Sequence, residues 1–142
     1  MIQFTVIGEP IGKQRPKFST FNGHAMAYTP QKTVNYETLV KLSYQQQCND
    51  KPYEKDIPLR AEITAYFPIP KSASMKRKKM MLEGQIRPTK KVDIDNCMKI
   101  IFDALNKIAY YDDAQIVSTC CEKYYSDNPR VIVRISEVIC DG

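Results

Sequence analysis

The chain has 142 residues and a mass of 16.4 kDa, which suits one domain with its own hydrophobic core and argues against a second domain. Hydrophobic residues make up 43% and charged residues 26%, so a disordered or fibrous chain is excluded. No apolar run approaches the roughly 20 residues that cross a membrane, and the N-terminus lacks the apolar block of a signal peptide. We therefore expect a cytoplasmic protein that has no membrane partner.

The five cysteines do not indicate a structural zinc site or a disulfide framework. They are odd in number, none forms a C-x-x-C pair, and His24 is the only histidine in the chain. We expect reduced, mostly buried thiols. A metal bound by this chain should therefore be a hard cation held by oxygen ligands.

Positive charge is concentrated in one segment of the sequence. The net charge is +5, and residues 71–91 hold eight basic residues against one acid, Glu83. The basic residues of this segment are Lys71, Lys76, Arg77, Lys78, Lys79, Arg87, Lys90 and Lys91. Such a cluster favours a polyanionic partner such as nucleic acid, because each phosphate that is neutralised releases counterions. The alternative is a basic surface that contacts only solvent.

The first part of the chain predicts one strand and one long helix. Residues 2–7 alternate between polar and apolar, which predicts a strand, and residues 8–24 are so rich in glycine and proline that we expect a loop. Thr29 followed by Pro30 is typical of a helix start, with Thr29 as the N-cap, and predicts a helix over residues 30–48. The apolar residues of this helix are Val34, Leu39, Val40 and Tyr44.

The middle of the chain predicts a half-buried strand and a short basic helix. Residues 60–68 alternate between apolar and polar over their whole length, which is typical of a strand with one buried face. The basic helix is predicted over residues 75–83, with Ser72 or Ser74 as its N-cap and Gly84 at its end.

The last part of the chain predicts one helix and several strands. Residues 92–95 are expected to be extended and residues 96–108 helical, while residues 115–125 and 130–138 predict two strands joined as a hairpin. The resulting order, βαβαβαββ, predicts a single α/β domain over residues 1–142, with a small mixed sheet and helices packed on it.

A pair of acids stands at the start of the predicted helix 96–108. In an extended chain, side chains two residues apart point the same way, so Asp93 and Asp95 would project from one face. Two like charges this close repel each other and raise the pKa of one carboxyl group, unless a cation lies between them. The pair therefore predicts a cation site. A simpler alternative is that Asp95 serves only as the helix N-cap.

The helix after this pair has a polar stripe. At about 100° per residue, five polar residues fall on roughly a third of its circumference, and apolar residues cover the opposite side. The polar residues are Asp95, Asn96, Lys99, Asp103 and Asn106. Lys99 lies one turn after Asp95, within reach of a phosphate bound there. The alternative for Lys99 is an i, i+4 ion pair with Asp103.

Asp112 and Asp113 form a second acidic pair, just before the next predicted strand. A strand, helix and strand that return beside their origin would bring one of these acids near Asp93 and Asp95. Three carboxylates and a lysine can support metal-assisted phosphodiester hydrolysis. The carboxylates hold the ion, the ion activates water and polarises the phosphate, and the lysine stabilises the developing charge. By itself, the second pair is also typical of a turn.

These residues belong to motifs that extend over about a third of the chain. The motifs are Asp93-Ile-Asp95-Asn96, Lys99, Asp103-Ala-Leu105-Asn106, Asp112-Asp113-Ala-Gln115-Ile and the opening Gly8-Glu-Pro10-Ile-Gly12-Lys13-Gln14-Arg15-Pro16. Together they resemble the RusA family of Holliday junction resolvases. Val92 departs from the family, which often has proline at this position, so the backbone before Asp93 is less restrained.

The resemblance implies a small, homodimeric α/β protein that binds four-way DNA junctions and introduces paired nicks. It implies Mg²⁺ as the cofactor, with Mn²⁺ as a substitute. It also implies that Asp93, Asp95 and Asp113 are catalytic residues that bind the metal, and that Lys99 is the catalytic lysine.

We therefore expect a Mg²⁺-dependent endodeoxyribonuclease that resolves four-way junctions in DNA recombination and repair. The residues expected to contact DNA are Lys13, Arg15, Lys17, Lys76, Arg77, Lys78, Lys79, Lys90 and Lys91. Two alternatives stay open. One is a metal-dependent nuclease for other branched DNA, such as flaps and forks. The other is a noncatalytic DNA-binding module whose acids only cap helices and form turns.

Overall fold

The computed structural model describes residues 1–90 and 92–139, and within them it contains strands, α-helices and one short 3₁₀ helix. The strands are β1 (Ile2–Ile7), β2 (Lys17–Phe21), β3 (His24–Tyr28), β4 (Leu59–Pro68), β5 (Ile116–Ser126) and β6 (Arg130–Glu137). The α-helices are α1 (Gln31–Gln47), α2 (Met75–Leu82) and α3 (Ile94–Leu105), and the 3₁₀ helix is Asp113–Gln115.

Four of the strands form a mixed sheet in the order β1-β6-β4-β5, which confirms the predicted α/β class with a mixed sheet. Strand β6 runs antiparallel to both β1 and β4, and β5 runs parallel to β4. Strands β1, β4 and β5 therefore point the same way. Their C-terminal ends lie along one edge, called here the carboxyl edge. In open α/β sheets, ligands bind outside this edge.

The core lies between this sheet and helices α1 and α3, which also pack on each other. The predicted alternation of β4 is confirmed, because every second residue is buried while those between are half-buried or exposed. The buried residues of β4 are Leu59, Ala61, Ile63, Ala65 and Phe67. Ile63 is 1% exposed, and truncating it to Ala would cost about 2–5 kcal/mol.

Helix α1 begins at Gln31, and two of its four predicted apolar residues, Val40 and Tyr44, are buried. Pro30 occupies the N-cap position without a side-chain hydrogen bond, so the prediction of Thr29 as the N-cap is wrong by one residue. The other two, Val34 and Leu39, are exposed. The residues that face the core are Thr33, Tyr36, Val40, Ser43 and Tyr44. Small hydroxyl side chains can take core positions when they are bonded, and Ser43 Oγ donates to the Leu39 carbonyl at 2.7 Å.

Residues 8–24 are not entirely irregular, because β2 begins within them and forms an antiparallel hairpin with β3. The chain turns at Asn22 and Gly23, whose φ angles of 51° and 78° suit a tight two-residue turn. A strand is recognised in a sequence by alternating polar and apolar residues, and this alternation arises only where one face of the strand is buried. The hairpin was therefore predicted as a loop. Every residue of β3 is exposed.

Residues 92–95 do not form an extended segment as predicted. Helix α3 already begins at Ile94, and Asp93 is its N-cap residue, with φ −67° and ψ 146°. Asp95 lies in the first helical turn, so the alternative of Asp95 as the N-cap is also wrong. The two acids consequently share the start of a helix, where the partial positive charge of the helix dipole favours negative charge.

Strands β5 and β6 follow each other in sequence but are not neighbours, so the predicted hairpin is wrong. Strand β4 lies between them and pairs with both. The connection at residues 127–129 must therefore pass over the end of β4. This order gives β4 a strand partner on each side.

The cysteines within the described residues are free thiols, as predicted, but the expectation that they are mostly buried is wrong. Cys97 is buried, Cys48 and Cys121 are half-buried, and Cys120 is exposed. Burial raises the pKa of the Cys97 thiol to about 11 and that of Cys121 to about 12, so both stay protonated at neutral pH. Cys140 lies outside the described residues. Among the helices of the described ranges, none has the length and apolar character required to cross a membrane.

Candidate active site

Helix α3 has one apolar side and one polar side, as the sequence predicted. The side toward the core is buried and consists of Cys97, Ile100, Ile101, Ala104 and Leu105. The opposite side consists of Asp95, Asn96, Lys99, Asp103 and Asn106, called here the α3 polar stripe. None of these five residues is buried. The helix is thus anchored through its apolar side and leaves the polar stripe accessible to a ligand.

The loop that follows β1 is fixed against the start of α3. The backbone N–H of Lys13 donates a hydrogen bond to the carbonyl of Asn96 at 3.0 Å. Gly12 is buried beside it, and a Cβ atom at this position would clash with Cγ1 of Val92. Only glycine lets the two segments approach this closely. The opening motif therefore has a structural role, which is to hold Lys13 at the α3 polar stripe.

The ammonium group of Lys13 is bound by two carboxylates. It lies 2.5 Å from Oε1 of Glu37 on α1 and 3.2 Å from Oδ2 of Asp103 on α3, and its side chain is only 19% exposed. Burial alone would lower the pKa of Lys13, but the hydrogen bonds to Glu37 and Asp103 outweigh it and leave the pKa raised. Lys13 therefore stays charged and joins three parts of the fold.

Lys99 forms the ion pair with Asp103 that the sequence offered as an alternative to a catalytic role. Its Nζ lies 3.5 Å from Oδ2 of Asp103, and its side chain is 61% exposed. An exposed pair of this kind contributes little to stability. The exposure leaves the ammonium group able to contact a phosphate bound along the α3 polar stripe.

Asp93 and Asp95 lie at the start of α3, beside the carboxyl edge of the sheet. Both are exposed, and the Asp93 side chain makes no capping hydrogen bond, so its carboxylate oxygens are not used by the helix. A cleft of about 510 Å³ opens next to them. Its wall includes Lys13, Lys32, Phe67, Val92, Asp93 and Asn96. This position agrees with the general location of ligand sites in α/β sheets.

Asp112 and Asp113 have different surroundings. The Asp112 carboxylate caps the 3₁₀ helix by accepting a hydrogen bond from the N–H of Ala114 at 3.0 Å, and this bond holds its pKa below the usual range. Gln115 completes the cap, because its Oε1 accepts from the N–H of Asp112 at 3.0 Å. The carboxylate of Asp113 has no capping role in this arrangement.

Asp113 is held next to the C-terminal part of α3. Its N–H donates to Oδ1 of Asn106 at 3.2 Å. Burial raises the pKa of Asp113, and the hydrogen bond and charge of Asp112 and the charge of Asp103 raise it further, whereas Lys99 lowers it. Asp113 is therefore close enough to Asp103 and Lys99 for their charges to change its pKa.

The structure does not bring the three predicted metal ligands together. Asp93 and Asp95 lie at the N-terminal end of α3, whereas Asp113 is bonded to Asn106 at the other end. A helix of 12 residues is roughly 18 Å long. In residues 1–90 and 92–139, no three His, Cys, Asp or Glu side chains are close enough to hold one metal ion.

The predicted DNA-contacting residues differ in how accessible they are. Most are exposed, namely Arg15, Lys17, Lys76, Arg77, Lys79 and Lys90. Lys78 is half-buried, on helix α2, which packs on β5. Ser74, one of the two predicted caps, accepts a hydrogen bond from the N–H of Arg77 and is the N-cap of α2. Lys91 lies outside the described residues.

Sequence reasoning missed an aromatic residue next to the second acidic pair. The Tyr111 ring is 54% exposed and has two lysines over it, with Nζ of Lys55 at 5.3 Å and Nζ of Lys107 at 4.9 Å from the ring centroid. The two tyrosines before Asp112 were a visible signal. Lys55 comes from a distant part of the chain, and no local pattern would have placed it here.

Comparisons with known proteins identify the family of this chain. A family model described as endodeoxyribonuclease RusA matches residues 8–136. The protein YqaN of Bacillus subtilis (strain 168), described as uncharacterized, is 39% identical over 139 residues, which is 96% of both chains. A Lactococcus phage r1t protein named crossover junction endodeoxyribonuclease rusA is 29% identical over 140 residues, again 96% of both chains. The range matched by the family model contains the α3 polar stripe and both acidic pairs, and the chain belongs to the RusA family of endodeoxyribonucleases.

Proposed function

We propose that this protein is a cytoplasmic, Mg²⁺-dependent endonuclease that resolves four-way DNA junctions by paired nicks, in recombination and repair. The observation that carries the proposal is the RusA family match over residues 8–136, which includes every acid and the lysine assigned to catalysis. The phage relative named as a crossover junction endodeoxyribonuclease supports a junction as the substrate. Exposed basic residues on α2 and in the loop after β1 supply the charge that binds a polyanion.

Asp93 and Asp95 have the chemistry expected of Mg²⁺ ligands. Mg²⁺ prefers carboxylate oxygens, and both side chains are exposed beside the cleft at the carboxyl edge. When bound, Mg²⁺ or its substitute Mn²⁺ would activate water and polarise the scissile phosphate. Asp113 is the third proposed ligand, because its carboxylate, unlike that of Asp112, has no capping role.

The separation of these acids supports a homodimer. A Mg²⁺ ion accepts ligands at about 2.1 Å, so one ion cannot contact both ends of α3 in the same copy. We infer that Asp113 of a second copy approaches Asp93 and Asp95 of the first, and that twofold symmetry repeats the arrangement. Two sites related by this symmetry suit two nicks in a junction that is itself symmetric.

The remaining groups of the α3 polar stripe have supporting roles in this proposal. Lys99 stabilises the charge that develops on the phosphate during hydrolysis. Asp103 restricts the position of Lys99 through the ion pair at 3.5 Å, and Lys13 in turn holds Asp103 at 3.2 Å. Lys13 is therefore better suited to positioning than to direct contact with DNA, whereas Arg15 and Lys17 remain free to bind phosphates.

Nicking of a synthetic four-way junction, with Mg²⁺ and with EDTA, tests this function. We expect two symmetric nicks that require the metal. Competition with flap, fork and linear duplex DNA tests the choice of substrate. A preference for flaps or forks would indicate a nuclease for other branched DNA, and binding without any nicking would indicate a noncatalytic module.

A further inference from the structure

The β2–β3 hairpin lies outside the hydrophobic core. All of its residues whose side chains are described are exposed, and its two strands pack chiefly against each other. A two-stranded hairpin by itself is only marginally stable in water. Packing on the core therefore does not account for the stability of this hairpin. Contact with a binding partner would account for it.

Large apolar side chains occur on both faces of the hairpin. Because directly paired residues share a face, Phe18 lies on one face with Ala27, while Met26 lies on the other with Ser19. Phe18 is 74% exposed and Met26 is 55% exposed. An arm with two exposed faces is suited to insertion into a ligand, since a hairpin that packs on the core needs only one apolar face.

The charge around the hairpin favours a polyanion as this ligand. Residues 10–36 contain basic residues but no Asp or Glu. Of the basic residues, Lys13 is bound by carboxylates, while Arg15 and Lys17 are exposed immediately before and at the start of β2. Exposed aromatic rings next to cations are typical of surfaces on which nucleic-acid bases stack. The same charge disfavours contact between the arms of two copies, because like charges would meet.

The hairpin also begins close to the candidate active site. Lys13 is bonded to Asn96 and Asp103, and β2 begins at Lys17, four residues later. Four extended residues span at most about 14 Å, and a strand of five residues adds roughly 17 Å. DNA bound at the α3 polar stripe would therefore pass within reach of the whole arm.

We propose that the β2–β3 hairpin is a DNA-binding arm, in which Arg15 and Lys17 bind phosphates and Phe18 stacks on bases that are exposed at the branch point. Bases inside a duplex are already stacked on each other, so a ring such as Phe18 finds a free base only where the duplex is interrupted. The arm therefore contributes to the preference for branched over linear DNA. This inference rests on the proposed function.

Binding measurements with Phe18→Ala test the stacking contact. We expect the dissociation constant for a four-way junction to rise roughly tenfold, the lower part of the range for one base–aromatic stack. Affinity for a linear duplex of the same sequence should change less than twofold. Thr20→Ala is the matched control, because Thr20 is exposed on the same face and strand but has no ring. Both variants should unfold at the temperature of the parent, since neither residue contacts the core.

The phosphate contacts are tested through the salt dependence of junction binding. Arg15→Ala combined with Lys17→Ala should lower the slope of log K against log salt by roughly 1 to 2, about 0.9 for each lost contact. A shortened arm, in which Asn-Gly replaces residues 18–27 and joins the paired residues Lys17 and Tyr28, should remove the preference for junctions over duplex.

This inference would be overturned if Phe18→Ala and the shortened arm both bound the junction as tightly as the parent. Loss of binding together with a change from two copies to one in analytical ultracentrifugation would also overturn it, because the arm would then contact a second copy. A parent protein that binds junctions but never nicks them would contradict the proposed function only, and the arm would still be tested by the binding measurements. A parent that binds no DNA would contradict both.

Discussion

The ammonium group of Lys13 lies 3.2 Å from Oδ2 of Asp103 and joins the loop after β1 to helix α3. Lys99 lies 3.5 Å from the same oxygen atom. Asp103 is thus shared by a partly buried lysine, which is also bonded to Glu37, and by an exposed lysine that remains free to move toward a phosphate. The first of these contacts supports the fold, and the second links it to the proposed chemistry.

Loss of the Lys13 ammonium group should destabilise the fold. We expect Lys13→Met to lower the free energy of unfolding by about 2 kcal/mol, because Glu37 and Asp103 would remain partly buried without their cation. The pKa of Lys13 is raised, so this stabilisation is complete below its ordinary value of 10.5 and is lost as the pH rises through the higher value of the folded state. Urea unfolding at neutral pH and above pH 10.5 measures both effects. Lys51→Met, at an exposed position, is the control, and a Lys13 variant as stable as this control at neutral pH would contradict the account.

Lys99 should affect the rate of nicking more than the binding of DNA. We expect Lys99→Ala to slow single-turnover nicking about a hundredfold or more, because a cation near 4 Å from the phosphate has a Coulomb scale of roughly 4 kcal/mol at an effective dielectric of 20. Junction affinity and stability should stay close to those of the parent, since the exposed pair with Asp103 contributes at most about 0.5 kcal/mol. A rate within threefold of the parent would leave Lys99 as an ion-pair partner only.

The two acids before β5 should respond differently to substitution. We expect Asp113→Asn to abolish nicking, because it removes a proposed metal ligand. Stability should not be lost, because the Asn side chain has nearly the same shape as that of Asp. Asp112→Ala should lower the free energy of unfolding by about 1 kcal/mol, because it removes the cap of the 3₁₀ helix. Thermal unfolding and nicking of the same preparations measure both. An inactive but stable Asp112→Asn variant together with an active Asp113→Asn variant would reverse the assignment.

Mixing inactive variants tests whether two copies share each metal site. If Asp113 of one copy joins Asp93 and Asp95 of the other, a mixed dimer of Asp93→Asn and Asp113→Asn contains one intact site. About half of randomly formed dimers are mixed in this way, so single nicks should appear when the two variants are refolded together. Asp93→Asn mixed with Asp95→Asn is the control and should stay inactive, because every mixed site then lacks a ligand. Equal inactivity of both mixtures would contradict a shared site.

The parts of the fold that could be predicted are those with one buried face. Strand β4 and helix α3 separate apolar from polar residues in a regular pattern, so their faces were evident from the sequence. The buried face of helix α1 was predictable only in part, through Val40 and Tyr44, because Thr33 and Ser43 take core positions that apolar residues usually occupy. The described side chains of the β2–β3 hairpin are all exposed, and its local signal was Asn22-Gly23 at the turn.

The candidate site was predictable along one helix but not between distant segments. Spacing on α3 was enough to align Asp95, Lys99 and Asp103 on one side. The bond from Lys13 to Glu37 joins residues that are 24 positions apart, and no local pattern indicates it. The order of the strands is also a long-range property, and it decides that Asp113 meets the far end of α3 rather than Asp93.

The most direct test of the central claim is single-turnover nicking of a synthetic four-way junction by the parent and by Asp93→Asn, with Mg²⁺ and with EDTA. We expect the parent to make symmetric nicks in Mg²⁺ and none in EDTA. Asp93→Asn should bind the junction at least as tightly as the parent, because a negative charge near the phosphates is removed. Its activation free energy for nicking should be higher by several kcal/mol. Nicking by Asp93→Asn at a rate near that of the parent, or nicking by the parent in EDTA, would contradict the proposed metal-dependent function.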